Sequence, residues 1–256
     1  MSEDRYTVPA LSRGLQLLMQ FSRDSRVLSG AELSRRLDIP RASVFRMLQT
    51  LEQMNFVERT DDSGNYRLGL AVLRLGFEYL ASIELTEYGM PVIEELRDQS
   101  GYSAHIVLRD QTEVVFVAKA PGRNAMFHSI QVGARLPAHA TVLGRILLSD
   151  LNTDELHKLY PSEPLPAFTP KTPTTIEEVT SLALIDRERG YGISMAGFAT
   201  GVSTIAAPVL NHHKKVVAAI SISVPSSHIE EEELLPLIDM VKRAADKLSE
   251  RIHHLP

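Results

Sequence analysis

Between Ser29 and Gln53 the chain reads SGAELSRRLDIPRASVFRMLQTLEQ, and the Asp38-Ile39-Pro40 break in its middle restricts it to two short helices joined by a turn. Proline has no N–H to give and clashes with a preceding helical turn, so a helix ending at Leu37 cannot run through it. In the first turn of a new helix the missing N–H costs nothing. With the second helix started at Pro40 and turned about 100° per residue, Val44, Met47, Leu48 and Leu51 share one face, and Ser43, Arg46, Thr50 and Gln53 share the opposite one. The first face can bury against Leu33 and Leu37. The second presents a guanidinium, two hydroxyls and an amide, groups that hydrogen-bond base edges and phosphates. Any amphipathic helical hairpin has two such faces, so the flanking residues have to decide.

Those neighbours extend the pattern. Val8 to Arg23 sets Leu11, Leu15, Leu18 and Met19 at helical spacing, a first helix packing on the hairpin with Arg13 near its start. Phe56–Arg59 and Asn65–Leu68 read as short strands about the turn-forming Asp61-Asp62-Ser63-Gly64. Helix, helical hairpin and two-stranded wing, in that order, make a winged helix-turn-helix. Arg41, Ser43, Arg46 and Thr50 are then candidate groove contacts, Arg35 and Arg36 candidate phosphate clamps, and Arg59 and Arg67 wing residues within reach of a backbone or minor groove. Arg13 is counted with them. A winged fold used only for protein contacts is the competing reading.

A net charge of -5 over 256 residues speaks against nucleic acid until its distribution is read. Through Leu85 there are eleven arginines, no lysine and eleven acids, so the whole deficit lies in the remainder, with sixteen basic and twenty-one acidic residues. Arginine suits bidentate contact with guanine and phosphate better than lysine does. The absence of cysteine excludes a disulfide framework and fits a reducing cytoplasm. No apolar run reaches membrane-spanning length, and MSEDRYTVPA has neither the basic nor the apolar segment of a signal peptide, so a cytoplasmic protein with no membrane partner is expected.

The rest of the chain is α+β. Leu70 to Leu85, with Leu70, Leu73, Phe77 and Leu80 at three- and four-residue steps, predicts a linker helix, and Glu87–Ser100 another, with Pro91 in its first turn and Gly101 as its stop. Tyr102–Leu108 and Glu113–Ala118 pair as a hairpin, with Phe127–Val132 a third strand. Helices follow at Ala138–Leu148, at Thr153–Tyr160 with Thr153 as N-cap, and at Thr175–Arg189, with a proline-rich loop over 161–174. Ser203–Val209 and Val216–Val224 are strands. The second alternates strictly, Ala218, Ile220, Ile222 and Val224 on one face and Val217, Ala219, Ser221 and Ser223 on the other. A helix over Ile229–His254 closes the chain. The expected division is 1–69 for the winged domain, 70–85 for the linker and 86–256 for a second domain built on an antiparallel sheet.

Catalysis finds little support. Gly201-Val202-Ser203 does not complete a nucleophile elbow, and there is no P-loop, dinucleotide fingerprint or HExxH. His105, His128 and His139 lack metal-ligand spacing and read as polar walls or satisfied core histidines, so no catalytic residue, metal or cofactor is expected.

Three separated segments, PALSRGLQLL, GARLPAHATVLGRILL and RGYGISMAGFATGVSTIAAPVLNHHKKVVAAISISVP, resemble the IclR-type bacterial transcriptional regulators in order and spacing. The resemblance implies a winged helix-turn-helix on double-stranded promoter DNA, a C-terminal domain similar to GAF folds that takes a small organic acid, and homodimers or tetramers. It places the effector carboxylate on the backbone N–H groups of Val142 and Leu143, at the start of a helix. It adds Ser221 and Ser223 as pocket serines, Ser194 and Thr204 as polar groups, and Ala125, His128, Leu136 and Val202 as walls. Where many members carry an acidic pair, this chain has Ser194-Met195-Ala196-Gly197. That change implies a less polar or larger pocket suited to an aromatic or bulkier acid, or drift in an exposed loop.

Overall fold

The computed structural model describes residues 7–22, 24–60, 64–82, 84–122 and 130–252. The chain divides into two compact units, one through Ser82 and the other from 83 onward.

In the first unit, α1 (Pro9–Leu18) precedes β1 (Leu28–Ser29), α2 (Gly30–Leu37), α3 (Arg41–Gln53), β2 (Val57–Arg59), β3 (Asn65–Leu68) and α4 (Leu70–Ser82). Leu17, Phe21, Leu28, Leu33, Ile39, Val44, Leu48, Val57 and Tyr66 form its core, with Met47 and Leu51 packed against it. The face of α3 expected inside is therefore inside. The wing pairs Val57 with Leu68 and Arg59 with Tyr66, and a strand too short to read from sequence, β1, adds to its far edge through Leu28 and Tyr66. Asp61 to Ser63 lie outside the described residues. α1 corrects the sequence reading: it stops at Leu18, and Leu17 is the residue it buries, while Leu11, Leu15 and Met19 are exposed. The helix carries two apolar stripes, and spacing alone does not say which one faces this core.

In the second unit, α5 (Glu84–Ser100) is followed by β4 (Ser103–Asp110), β5 (Glu113–Ala120), β6 (Arg135–Pro137), α6 (Val142–Leu148), α7 (Thr153–Leu159), α8 (Ile176–Arg189), β7 (Gly192–Met195), β8 (Ser203–Leu210), β9 (Val216–Val224) and α9 (Glu231–Arg251). The strands form one antiparallel sheet in the order β6-β5-β4-β9-β8-β7. α5 and α9 pack together on one face, where a Cβ on Gly89 would meet the Cδ1 of Ile106 at 2.3 Å. α6 covers the other, and its Val142, Leu143, Ile146 and Leu147 share a core with Val107, Phe116, Ala206 and Ala219. Both faces of β9 are thus buried, which reconciles its alternation with two helical layers.

Several boundaries move. α5 begins at Glu84, which puts Pro91 inside the helix rather than in its first turn. Ile130 to Val132 are not strand, the remainder of the expected third strand lies outside the described residues, and β6 occupies that edge instead. α6 starts four residues late because Thr141 caps it, its side chain accepting from the Gly144 N–H at 3.1 Å. α7 is capped by Asn152, not Thr153, in a capping box with Glu155, and α8 by Thr175 in another with Glu178. β7, an edge strand of four residues beginning in glycine, gave no periodic signal.

Candidate DNA-binding face and effector pocket

The helical hairpin is fixed by three local devices. The Ser29 hydroxyl accepts from the Glu32 N–H at 3.1 Å and opens α2; Asp38 takes a left-handed φ of 52° and ends it; Pro40 stands at the N-cap of α3. Burial of Val44 and Leu48 then turns Arg46, Thr50 and Gln53 to solvent together with Arg41, while Ser43 is half-buried. The Thr50 hydroxyl donates to the Arg46 carbonyl at 3.0 Å, so only its lone pairs remain for another partner. Phe45, one turn beyond Arg41, is 50% exposed and was not singled out in the sequence.

Arg35, Arg36, Arg59 and Arg67 are engaged. Arg35 and Arg36 both donate to the Glu32 carboxylate at 2.7 Å, and these guanidinium groups, Arg36 first, hold that carboxyl below its usual range. On the wing Arg59 pairs with Glu52 at 3.2 Å and lies over the Tyr66 ring, and Arg67 pairs with Glu58 at 2.6 Å. Among the described residues, Arg13, Arg41 and Arg46 form no ion pair, and all three are exposed.

In the second unit, strand register assembles the hydroxyls that lie far apart in sequence. Ser103 pairs with Ser223, Ser223 with Thr204 and Thr204 with Ser194, one lateral row across four strands. The next row runs Lys119, His105, Ser221, Ala206, Gly192. Laterally paired residues share a face, and this is the face under α6, where a Cβ on Gly192 would meet Val142 at 2.5 Å. Gly144 admits the 138–141 turn in the same way, since a Cβ there would lie 1.9 Å from the Ala138 carbonyl oxygen. With Gly144 bonded to Thr141, the N–H groups of Val142 and Leu143 have no partner among the hydrogen bonds of the described residues. Leu136 on β6 packs at the margin of the same core, and Val202, half-buried, accepts from the Ala196 N–H at 3.1 Å. Ala125 and His128 lie outside the described residues.

The segment Ser194–Gly197 is half-buried rather than an exposed loop. The proline-rich stretch straps it down: Thr169 donates to the Gly197 carbonyl at 2.6 Å, Lys171 to the Met195 carbonyl at 3.1 Å, and the rings of Phe168 and Phe198 lie 5.1 Å apart. His139 is satisfied, bonded through Nε2 to the Pro166 carbonyl at 2.9 Å. His105 is not: buried against Phe116, it has an Nδ1 without a partner among the described residues, and the Ser221 hydroxyl is in the same state. Desolvation, with a smaller contribution from Lys119, lowers the His105 imidazole to about 4.

Two family models match this chain: the IclR helix-turn-helix domain over residues 10–61, and the bacterial transcriptional regulator IclR C-terminal domain over residues 77–250. The chain belongs to the IclR family of bacterial transcriptional regulators. It is similar over 94% of its length, and 96% of the relative's, to the HTH-type transcriptional regulator XynR of Escherichia coli K12, at 28% identity. A putative transcriptional regulator from Rhodococcus sp. RHA1 superposes with a TM-score of 0.84 at 29% identity, over 98% of this chain and 100% of that one. An IclR homologue from Microbacterium hydrocarbonoxydans, solved in complex with 4-hydroxybenzoate, shares the fold with a TM-score of 0.82 at 22% identity, over 96% and 99% of the two chains.

IclR membership accounts for the winged unit and the six-stranded sheet. Besides Phe45, sequence reading missed the features that seat α6 of this IclR chain on the sheet: Gly144, Gly192 and the buried pair Arg145 and Asp186. Their glycine and charge are visible in the sequence, but only register and packing give them a role. Among the described residues no helix is long and apolar enough to cross a membrane.

Proposed function

We propose that the protein is a dimeric, sequence-specific regulator whose binding to promoter DNA is modulated by a small organic acid held on the α6 face of the sheet. Arg41, Ser43, Arg46 and Thr50 read the major groove, and the exposed Phe45 ring suits a thymine methyl. Arg13, Arg35, Arg36, Arg59 and Arg67 meet phosphates, four of them after exchanging a carboxylate for the backbone. The observation that carries this reading is the outer face of α3, exposed, polar and with both its arginines outside any ion pair of the described residues.

The acid is held between the Val142 and Leu143 N–H groups and the hydroxyls of Ser194, Thr204, Ser221 and Ser223, walled by Leu136 and Val202. A carboxylate suits free backbone donors, and the complex of the Microbacterium homologue with 4-hydroxybenzoate makes an aromatic acid a reasonable first probe. A second copy of the chain covers the apolar stripes left exposed on α1 and its N-cap (Val8, Leu11, Leu15) and on α4 (Leu70, Leu73, Phe77), and dimers pair to tetramers.

Fluorescence anisotropy on the DNA upstream of the protein's own gene, against scrambled duplex at fixed salt and with a panel of aromatic and aliphatic acids, tests the proposal. Sequence-preferring binding that one acid shifts, and that a Ser221→Ala, Ser223→Ala protein no longer shifts, is the expected result. No preference for any upstream segment would return the winged unit to a protein-contact role.

A further inference from the structure

His105 and Ser221 are paired directly across β4 and β9 on the face under α6. They are 3% and 0% exposed, and each carries a polar atom, Nδ1 and Oγ, with no hydrogen-bond partner among the described residues. Buried polar atoms are nearly always bonded, so two orphans side by side call for a polar group that the described residues do not supply. The surroundings say which kind. The imidazole and the Phe116 ring are perpendicular with centroids 5.4 Å apart, and Phe116, Val107 and Ala219 pack on that side of the sheet. Burial holds the ring neutral near pH 7, so it offers one donor or acceptor and no positive charge to pair with a carboxylate. A hydroxyl, donor and acceptor in one atom, satisfies both orphans without bringing charge into that apolar corner.

We propose that His105 is an effector-contacting residue that, with Ser221, holds an uncharged hydroxyl of the bound acid, so that the effector is a hydroxy acid. The inference rests on reading this sheet face as the acid pocket, with the carboxylate at the other end, on the first turn of α6. A phenolic and an aliphatic hydroxyl present the same chemistry to the pair, and the experiment separates them.

Isothermal titration calorimetry of the full chain compares each hydroxybenzoate isomer with benzoate, and gluconate with hexanoate. For the wild type, the hydroxylated member of one set binds at least about tenfold tighter, because the deoxy acid leaves two buried groups unpaired; which set shows it names the source. In His105→Phe, which keeps an aromatic edge for Phe116 and loses both nitrogens, the two members bind alike, and His105→Gln, with a donor and an acceptor, restores a preference. Should the phenylalanine variant not fold, Ser221→Ala removes the other half of the pair and is read the same way. Equal affinity for hydroxy and deoxy acids in the wild type, or a preference that survives both substitutions, overturns the role of His105 and leaves the acid reading standing. Binding of none of these acids overturns both.

Discussion

The guanidinium of Arg145 donates to the carboxylate of Asp186 at 2.9 Å, with the two side chains 10% and 2% exposed. Asp186 accepts from Arg189 as well, at 2.5 Å, and Arg145 reaches the Ile193 carbonyl at 3.0 Å. One carboxylate thus ties α6 to α8, and through Arg145 to β7. Asp186→Ala leaves Arg145 as an uncompensated buried charge, and a loss of about 3–5 kcal/mol in urea unfolding is expected. A loss under about 1 kcal/mol would mean that water reaches the pair.

The glycines predict opposite signs in different places. Gly144→Ala forces a methyl into the Ala138 backbone and Gly192→Ala into Val142 and Asp186, so each should cost about 1–3 kcal/mol or more and loosen the α6 contact. Gly14→Ala, inside α1 with no heavy atom within 4 Å of the added carbon apart from its chain neighbours and the helix's own backbone, should gain about 0.5–1 kcal/mol from helix propensity alone. Thermal melts of the three variants against wild type check the pattern, and a stable Gly144→Ala would contradict the packing described.

On DNA, two substitutions separate base reading from phosphate contact. Arg46→Ala should weaken operator binding by about 1–3 kcal/mol and relax the preference at one position. Glu32→Gln releases Arg35 and Arg36 from the carboxylate that now occupies them. Affinity for operator and for scrambled duplex should rise together, with a steeper dependence on salt. Anisotropy titrations at several salt concentrations distinguish the two. A Glu32→Gln effect confined to the operator would mean that these arginines read sequence.

Acid should destabilise the second unit through His105. Its imidazole titrates near 4 when folded and near 6.5 when free. The unfolded chain therefore takes up a proton first as pH falls. The folding advantage of the neutral ring is complete above about pH 6.5 and is lost progressively down to about pH 4, a change of roughly 3 kcal/mol. Urea midpoints at pH 7, 5.5 and 4.5 should fall less for His105→Phe than for wild type. Parallel curves would show that the ring is solvated or paired in solution.

Local chemistry wrote much of this molecule into its sequence. Pro40 and the Val44, Leu48 and Leu51 stripe fixed the helical hairpin, because proline sterics and helical periodicity act within a few residues. The alternation in β9 put Ser221 and Ser223 on one face for the same reason, and three segments in order were enough to carry a family likeness. What tertiary structure decided is everything that depends on which surface meets which. It chose Leu17 rather than Leu11 and Leu15 as the buried side of α1, since two apolar stripes of equal spacing are equivalent until a partner is present. It made Gly144, Gly192, Arg145 and Asp186 into the seat of α6, and it laid His105 beside Ser221, 116 positions away by number. Strand register is set by the pairing of whole strands, so no local pattern around His105 announces that its ring nitrogen is left without a partner.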